Sequence, residues 1–250
     1  MRSALSVFWR SLQYWSDEIA LLVQMNAAWV LAMLLIVPGP PATAALLVVA
    51  NRMAHGELVS WRVARDAFRR YFWKSWGWAI LNAAFIGLLI YNYLFYRNQA
   101  SGTLWIAVQV AWAAVALAWA ALQLYWWPLL LEMPNHPLIG SLRNAAKLAL
   151  LNPLFTATLT FLALLFVAIS IGLAVPVTIM LASVLALVAN HATLDRLAAY
   201  RELRAQLAEP LPTSSALEGI DRPPPAPAAA VRPPRPRGRS SRRRSSRRKG

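Results

Sequence analysis

The chain has 250 residues, no cysteine and a formal net charge of +15. Hydrophobic residues make up 58% of it and charged ones 14%, the composition of a multispanning membrane protein rather than of a soluble domain with an apolar core. Disulfides, thiolate metal sites and cysteine nucleophiles are excluded.

Residues 1–18 contain "SALSVFWRSLQYW", which reads as an N-terminal interfacial segment with one apolar face. The first apolar run begins at Ile19, after Asp17 and Glu18, without a convincing cleavage site. It is therefore expected to be a retained span reaching Val37 rather than a secretory signal. "VPGPPATAALLVVANRM", residues 37–53, then sets Pro38, Gly39, Pro40 and Pro41 into the apolar run. Three missing donors, and the bias away from helical geometry before each proline, break a continuous helix there, although Pro41 is well suited to the first turn of a new one. Ala42 to Ala54 covers about 20 Å at ~1.5 Å per residue, so it is either a full crossing or a re-entrant half helix.

Charge favours a chain that turns back at Pro38–Pro41. A hairpin there places every Lys and Arg except Arg97 on one side of the membrane, whereas a single crossing through 19–54 would move Arg2 and Arg10 to the other. By this rule the basic side is cytoplasmic, and both termini lie on it. Near residues 58–72, "SWRVARDAFRRYF" is an amphipathic helix by spacing. Trp61, Arg62, Arg65, Phe68 and Arg69 are expected to contact an anionic leaflet. "IGSLRNAAKLALL" before Pro153 has a weaker version of the same pattern.

Four further apolar runs follow at Trp73–Phe95, Thr103–Leu131, Pro153–Gly172 and Ala174–Asn190. Trp73, Trp76, Trp78, Trp126 and Trp127 would form the inner aromatic belt, and Tyr91, Tyr93, Tyr96 and Trp105 the outer one. The expected fold is all-α: a polytopic membrane helical bundle of five to six transmembrane helices, the first two joined by the Gly-Pro turn and the second a crossing or re-entrant. The transmembrane domain is placed at 19–190, a cytoplasmic helix at 191–209, and a Pro/Arg-rich basic tail at 210–250. The tail has eleven basic residues against Glu218 and Asp221 and too little apolar surface to order itself. Its Arg242, Arg243, Arg244, Arg247, Arg248 and Lys249 read as an anionic-lipid tether or as a solubilising extension. Nucleic acid is not the expected partner.

No Asp, Glu, Lys, Arg or His falls near the middle of a span, which argues against a pump or proton-coupled transporter. The uncharged polar residues within spans have an ordinary role in interhelical hydrogen bonds. A functional alternative is a polar cavity formed by Asn26, Asn82 and Gln123 that takes a polyol or sugar. Trp112 and Trp119, seven apart, share a helix face that either packs or stacks on a sugar ring. Ala83 with Gly87 and Ala168 with Gly172 have the small-xxx-small spacing of close helix contacts. His55, His136 and His191, with Glu57, Glu132 and Asp195, offer imidazole and carboxylate for a metal or acid–base site, but only His191 and Asp195 have single-helix ligand spacing. No nucleophile elbow, phosphate loop or paired intramembrane carboxylate is present, so no enzyme, cofactor or metal is expected.

The stretch "LIVPGPPATAALLVVANRMAHGELVSWRVARDAFRRYFWKSW" through "LLIYNYLFY", together with "YWWPLLLEMPNHPLIGSLRNAAKLALLNP", resembles the YesL family of uncharacterised bacterial integral membrane proteins. The resemblance covers roughly residues 15–200 and omits the tail. It implies location in the bacterial cytoplasmic (inner) membrane, no established catalytic residues, and an association with carbohydrate uptake and degradation. The function expected from it is an accessory or scaffold component beside a carbohydrate transporter, with sugar permease subunits and anionic inner-leaflet lipids as partners. The alternative is a small autonomous facilitator or permease for an uncharged polar solute.

Overall fold

The computed structural model describes residues 3–97, 102–135, 137–173 and 179–208. These residues form helices and connecting turns, with no strand among them. The helices are α1 (Ala4–Asp17), α2 (Ile19–Leu34), α3 (Gly39–Ala54), α4 (Trp61–Arg70), α5 (Phe72–Arg97), α6 (Thr103–Glu132), α7 (Leu138–Leu151), α8 (Pro153–Leu173) and α9 (Leu181–Ala208). Met1–Ala205 is one compact unit; of the second, Gln206–Gly250, only residues 206–208 are described.

Local sequence sets the helix ends. The Ser3 hydroxyl accepts from the Ser6 amide at 3.2 Å and caps α1. Across Asp17 and Glu18 the axis then turns by 98° into α2. The Gly-Pro segment makes the expected reversal. α2 stops at Leu34, Ile36 takes a φ of 63°, and α3 starts at Gly39 with Pro40 and Pro41 in its first turn, where a missing N–H leaves no bond unmade. Gly39 is needed for space as well as for the turn: a Cβ there would lie 3.0 Å from Met33 Sδ and 3.5 Å from its Cα. Antiparallel return of α3 along α2 is fixed by the Trp29 indole, which donates to Thr43 Oγ1 at 2.9 Å. Pro153 opens α8 directly after α7, and Pro128 lies inside α6.

α3 lies at the centre of the bundle, with Ala44, Leu46, Val49, Ala50 and Met53 buried. Around it close the buried segment Leu124–Leu130 of α6, and Val184, Leu187, Val188 and Ala192 of α9. α1 is not a loosely attached surface helix. Its Val7, Ser11 and Trp15 are buried, the Trp15 indole donates to Ser183 Oγ at 3.0 Å, and Phe8 meets Phe166 edge to face.

α5, α6 and α8 are long and apolar enough to cross a membrane, and α1 with α2 makes a fourth candidate if that bent pair is one broken span. Their 26, 30 and 21 residues give lengths of about 39, 45 and 32 Å, against a hydrocarbon core of ~30 Å. The expectation of five to six crossings counted α2, α3 and the start of α9 separately. α2 and α3 have 16 residues each, about 24 Å, short of the ~30 Å hydrocarbon core. Residues 174–178, at the start of the sixth expected span, lie outside the described residues.

Candidate functional site

The three amides proposed to line a polar cavity lie in two places. Asn26 is fully buried in α2, where its Oδ1 accepts the amides of Ala182 at 2.9 Å and Ser183 at 3.1 Å. These are among the first amides of α9, which have no acceptor within their own helix, so a residue 156 positions earlier caps the last helix of the bundle. Asn82 and Gln123 do come together, across α5 and α6. The Trp78 indole donates to Gln123 Oε1 and the Trp119 indole to Asn82 Oδ1, both at 3.0 Å. Each helix supplies one tryptophan and one amide four residues apart, and because the helices are antiparallel the two pairs form successive rungs. Asn82 also donates to the Trp78 carbonyl at 2.9 Å. Gln123 Nε2 is buried without a hydrogen-bond partner among the described residues. Trp119 stacks on Phe85 at 4.1 Å, which covers the ring face considered for a sugar.

Gln123 borders a cavity of about 330 Å³ between α2, α3, α6, α8 and α9. The other lining residues are apolar apart from Thr43, whose hydroxyl already bonds the Gly39 carbonyl and the Trp29 indole. Asn26 and Asn82 do not line it.

The histidines and carboxylates divide as well. His55 Nε2 is 3.4 Å from Glu132 Oε1, and the same oxygen accepts from Asn51 Nδ2 at 3.0 Å. Asn51 Nδ2 also reaches Asn190 Oδ1 at 3.1 Å, while Asn190 Nδ2 donates to the Leu47 and Ala186 carbonyls. His191 is buried on the far side of α9, its Nδ1 3.0 Å from the Ser11 hydroxyl and its ring against Tyr14. Glu57 pairs with Arg52 at 3.8 Å, and Asp195 pairs with Arg196. The Arg196 guanidinium also lies 3.8 Å from the Phe155 ring centre and reaches Asn152 Oδ1 at 3.4 Å. No group of three metal-ligating side chains occurs among the described residues. His136 lies outside them. This layer ties α1, α3, α6, α8 and α9 together. Its depth also moves a boundary: α9, expected to leave the bundle after Asn190, remains buried at Thr193 and Arg196.

α4 has the expected amphipathic pattern and a more specific seat. Ala64 and Ala67 are buried and Phe68 packs against the core, so the apolar face rests largely on protein. The Trp61 indole donates to Gln24 Oε1 at 3.2 Å and ties α4 to α2. Arg62, Arg65 and Arg69 stay exposed. Between α2, α3 and α4 runs an open groove of about 560 Å³. Ala28 and Ala32 on α2, Ala42 and Ala45 on α3 and Ala64 on α4 face into it, and their short side chains leave the space between the helices unfilled. Arg62 and Arg65 line its α4 side, and no carboxylate is among its lining residues. Just beyond, burial pushes the Tyr71 phenol above its ordinary value, with Arg70 and Arg52 opposing, so the ring remains neutral against Trp127.

Residues 22–93 match the model of a family described as a protein of unknown function, DUF624. No curated protein matches the chain, and no solved structure does. The matched DUF624 stretch runs from within α2 to within α5. It therefore takes in the Gly-Pro turn, α4, the whole lining of the groove and Asn82, but not Gln123. The basic residues Arg242, Arg243, Arg244, Arg247, Arg248 and Lys249 fall outside the match and outside the described residues.

Proposed function

We propose that this chain is a non-catalytic accessory or scaffold component of a membrane assembly, working beside a carbohydrate transport system in the bacterial inner membrane with both termini cytoplasmic. The observation that carries the reading is the state of α5 and α6. In neither helix is any residue of the most apolar stretch buried within the chain, whereas 28% of the corresponding stretch of α8 is. Helices associate in lipid through close packing and interhelical hydrogen bonds, not through a hydrophobic drive, so a surface suited to another helix carries small residues that admit a close approach. Ala83 and Gly87 form such a strip on α5, and Ala168 and Gly172 another on α8. All four are exposed, and a Cβ added at either glycine would meet nothing within 4 Å. Support for a transport partner comes from the resemblance to YesL proteins, and the distribution of Lys and Arg supports the orientation.

A facilitator acting alone would need a polar path. The described amides are instead engaged with indoles and backbone groups, and the cavity that Gln123 borders is otherwise almost wholly apolar. The deciding experiment is purification of the tagged chain from its native host in mild detergent, with mass spectrometry of the co-purifying proteins. Stoichiometric recovery of transporter permease subunits is expected. Recovery of the chain alone across detergents and growth sugars, together with solute uptake by liposomes containing only this protein, would overturn the proposal in favour of an autonomous facilitator.

A further inference from the structure

We propose that the groove between α2, α3 and α4 is a binding site for one anionic lipid, its acyl chain between the alanine walls and its phosphate on Arg62 and Arg65. The inference does not depend on the accessory reading. It begins with the mismatch between the groove's two parts. The walls are apolar, with Met25, Trp29, Leu46 and Phe68 adding to the alanines, and the volume of about 560 Å³ falls within the ~300–1,000 Å³ typical of ligand pockets. Such a space suits hydrocarbon and offers little to a free inorganic anion.

One side of the same groove nevertheless carries two guanidinium groups. Arg62 and Arg65 are three residues apart, neighbours on one helix face, and neither takes part in an ion pair among the described residues. A planar guanidinium matches phosphate oxygens bidentately, and two of them side by side can hold a phosphodiester from adjacent directions. Apolar walls leading from a paired cationic mouth are what a phospholipid requires. A zwitterionic phospholipid has the same phosphodiester but brings its own ammonium, so the two arginines would face no net negative charge, and a soluble phosphate would leave the groove unfilled. The seat is also held in place: Trp61 is bonded to Gln24, and Ala64 and Ala67 are buried, so the arginines project from a docked helix.

The test uses the full chain in a neutral detergent, titrated separately with phosphatidylglycerol, phosphatidylcholine and inorganic phosphate, with bound lipid counted by native mass spectrometry. One phosphatidylglycerol should bind in preference to phosphatidylcholine. Arg62→Gln with Arg65→Gln should weaken it roughly thirtyfold, each arginine supplying about what a basic residue gives near an anionic leaflet. Ala28→Leu with Ala32→Leu fills the groove and leaves every charge in place, and it should also abolish the preference. Arg143→Gln with Lys147→Gln removes the same charge from exposed residues of α7 that do not line the groove and should leave binding unchanged; the tail is common to all variants. Equal loss in the Arg143/Lys147 pair would reduce the effect to diffuse surface charge and overturn the site. So would equal binding of phosphatidylcholine, or competition by inorganic phosphate at concentrations comparable to the lipid. If the leucine variant fails to fold, the exposed basic pairs decide the matter alone.

Discussion

Along the same two helices, α5 and α6, the molecule changes character near Asn82 and Trp119. Between that rung and the α4 end, Ser75 is buried, Trp78 and Gln123 are bonded, and Tyr125, Trp126 and Leu130 are wholly enclosed. Beyond it, across 83–97 and 103–118, none of the described side chains is buried. Both halves are apolar and both are helical. The difference teaches that in this chain apolarity specifies residence in lipid, while fixed packing comes from the polar groups and small residues that give one helix a reason to choose another.

The largest effect expected from breaking the packed half is at Asn26. Asn26→Leu strands one buried and one part-buried amide of α9, and at ~1–3 kcal/mol for each unsatisfied group it should cost about 2–6 kcal/mol, measured as a lower unfolding midpoint on SDS titration. A loss below about 0.5 kcal/mol would mean that α9 finds other acceptors. The rungs should be weaker. A double-mutant cycle on Asn82→Leu and Trp119→Phe should give a coupling near the ~0.6 kcal/mol found for interhelical hydrogen bonds in membranes, since lipid offers the separated partners alternatives. Smallest of all, Leu88→Ala or Leu94→Ala in the far half should change the stability of the isolated chain by less than about 0.5 kcal/mol. The same substitutions made in the native host should reduce recovery of a helical partner. A large stability loss in the purified chain would erase the distinction between the halves.

Much of the architecture was legible before any coordinates. The three long spans follow from length and composition, and the reversal at Pro38–Pro41 follows from three missing donors and the lateral distribution of charge. α4 was legible as a period but not as a seat. Spacing places Ala64, Ala67 and Phe68 on one face without saying whether lipid or α3 covers it. The candidate site was legible only in its residue types. Asn26, Asn82 and Gln123 stood out as uncharged polar groups in spans, yet their partners are two backbone amides of α9 and two indoles, and nothing local to an asparagine names a partner 156 residues away. The same reason explains α9. His191, Asp195 and Arg196 read as residues leaving the membrane because sequence displays their charge and hides Ser11, Asn152 and Phe155, which receive two of them.

The reach of the Asn26 cap has a bearing on biogenesis. Four bonds close the bundle between its first two helices and its last: Asn26 with the amides of 182 and 183, Trp15 with Ser183, and Ser11 with His191, at sequence separations of 156 to 180. A nascent chain that ends before Ala182 lacks the amides that Asn26 Oδ1 receives and the hydroxyl that takes the Trp15 indole, so the packing of the first two helices is completed only by the last segment to be made.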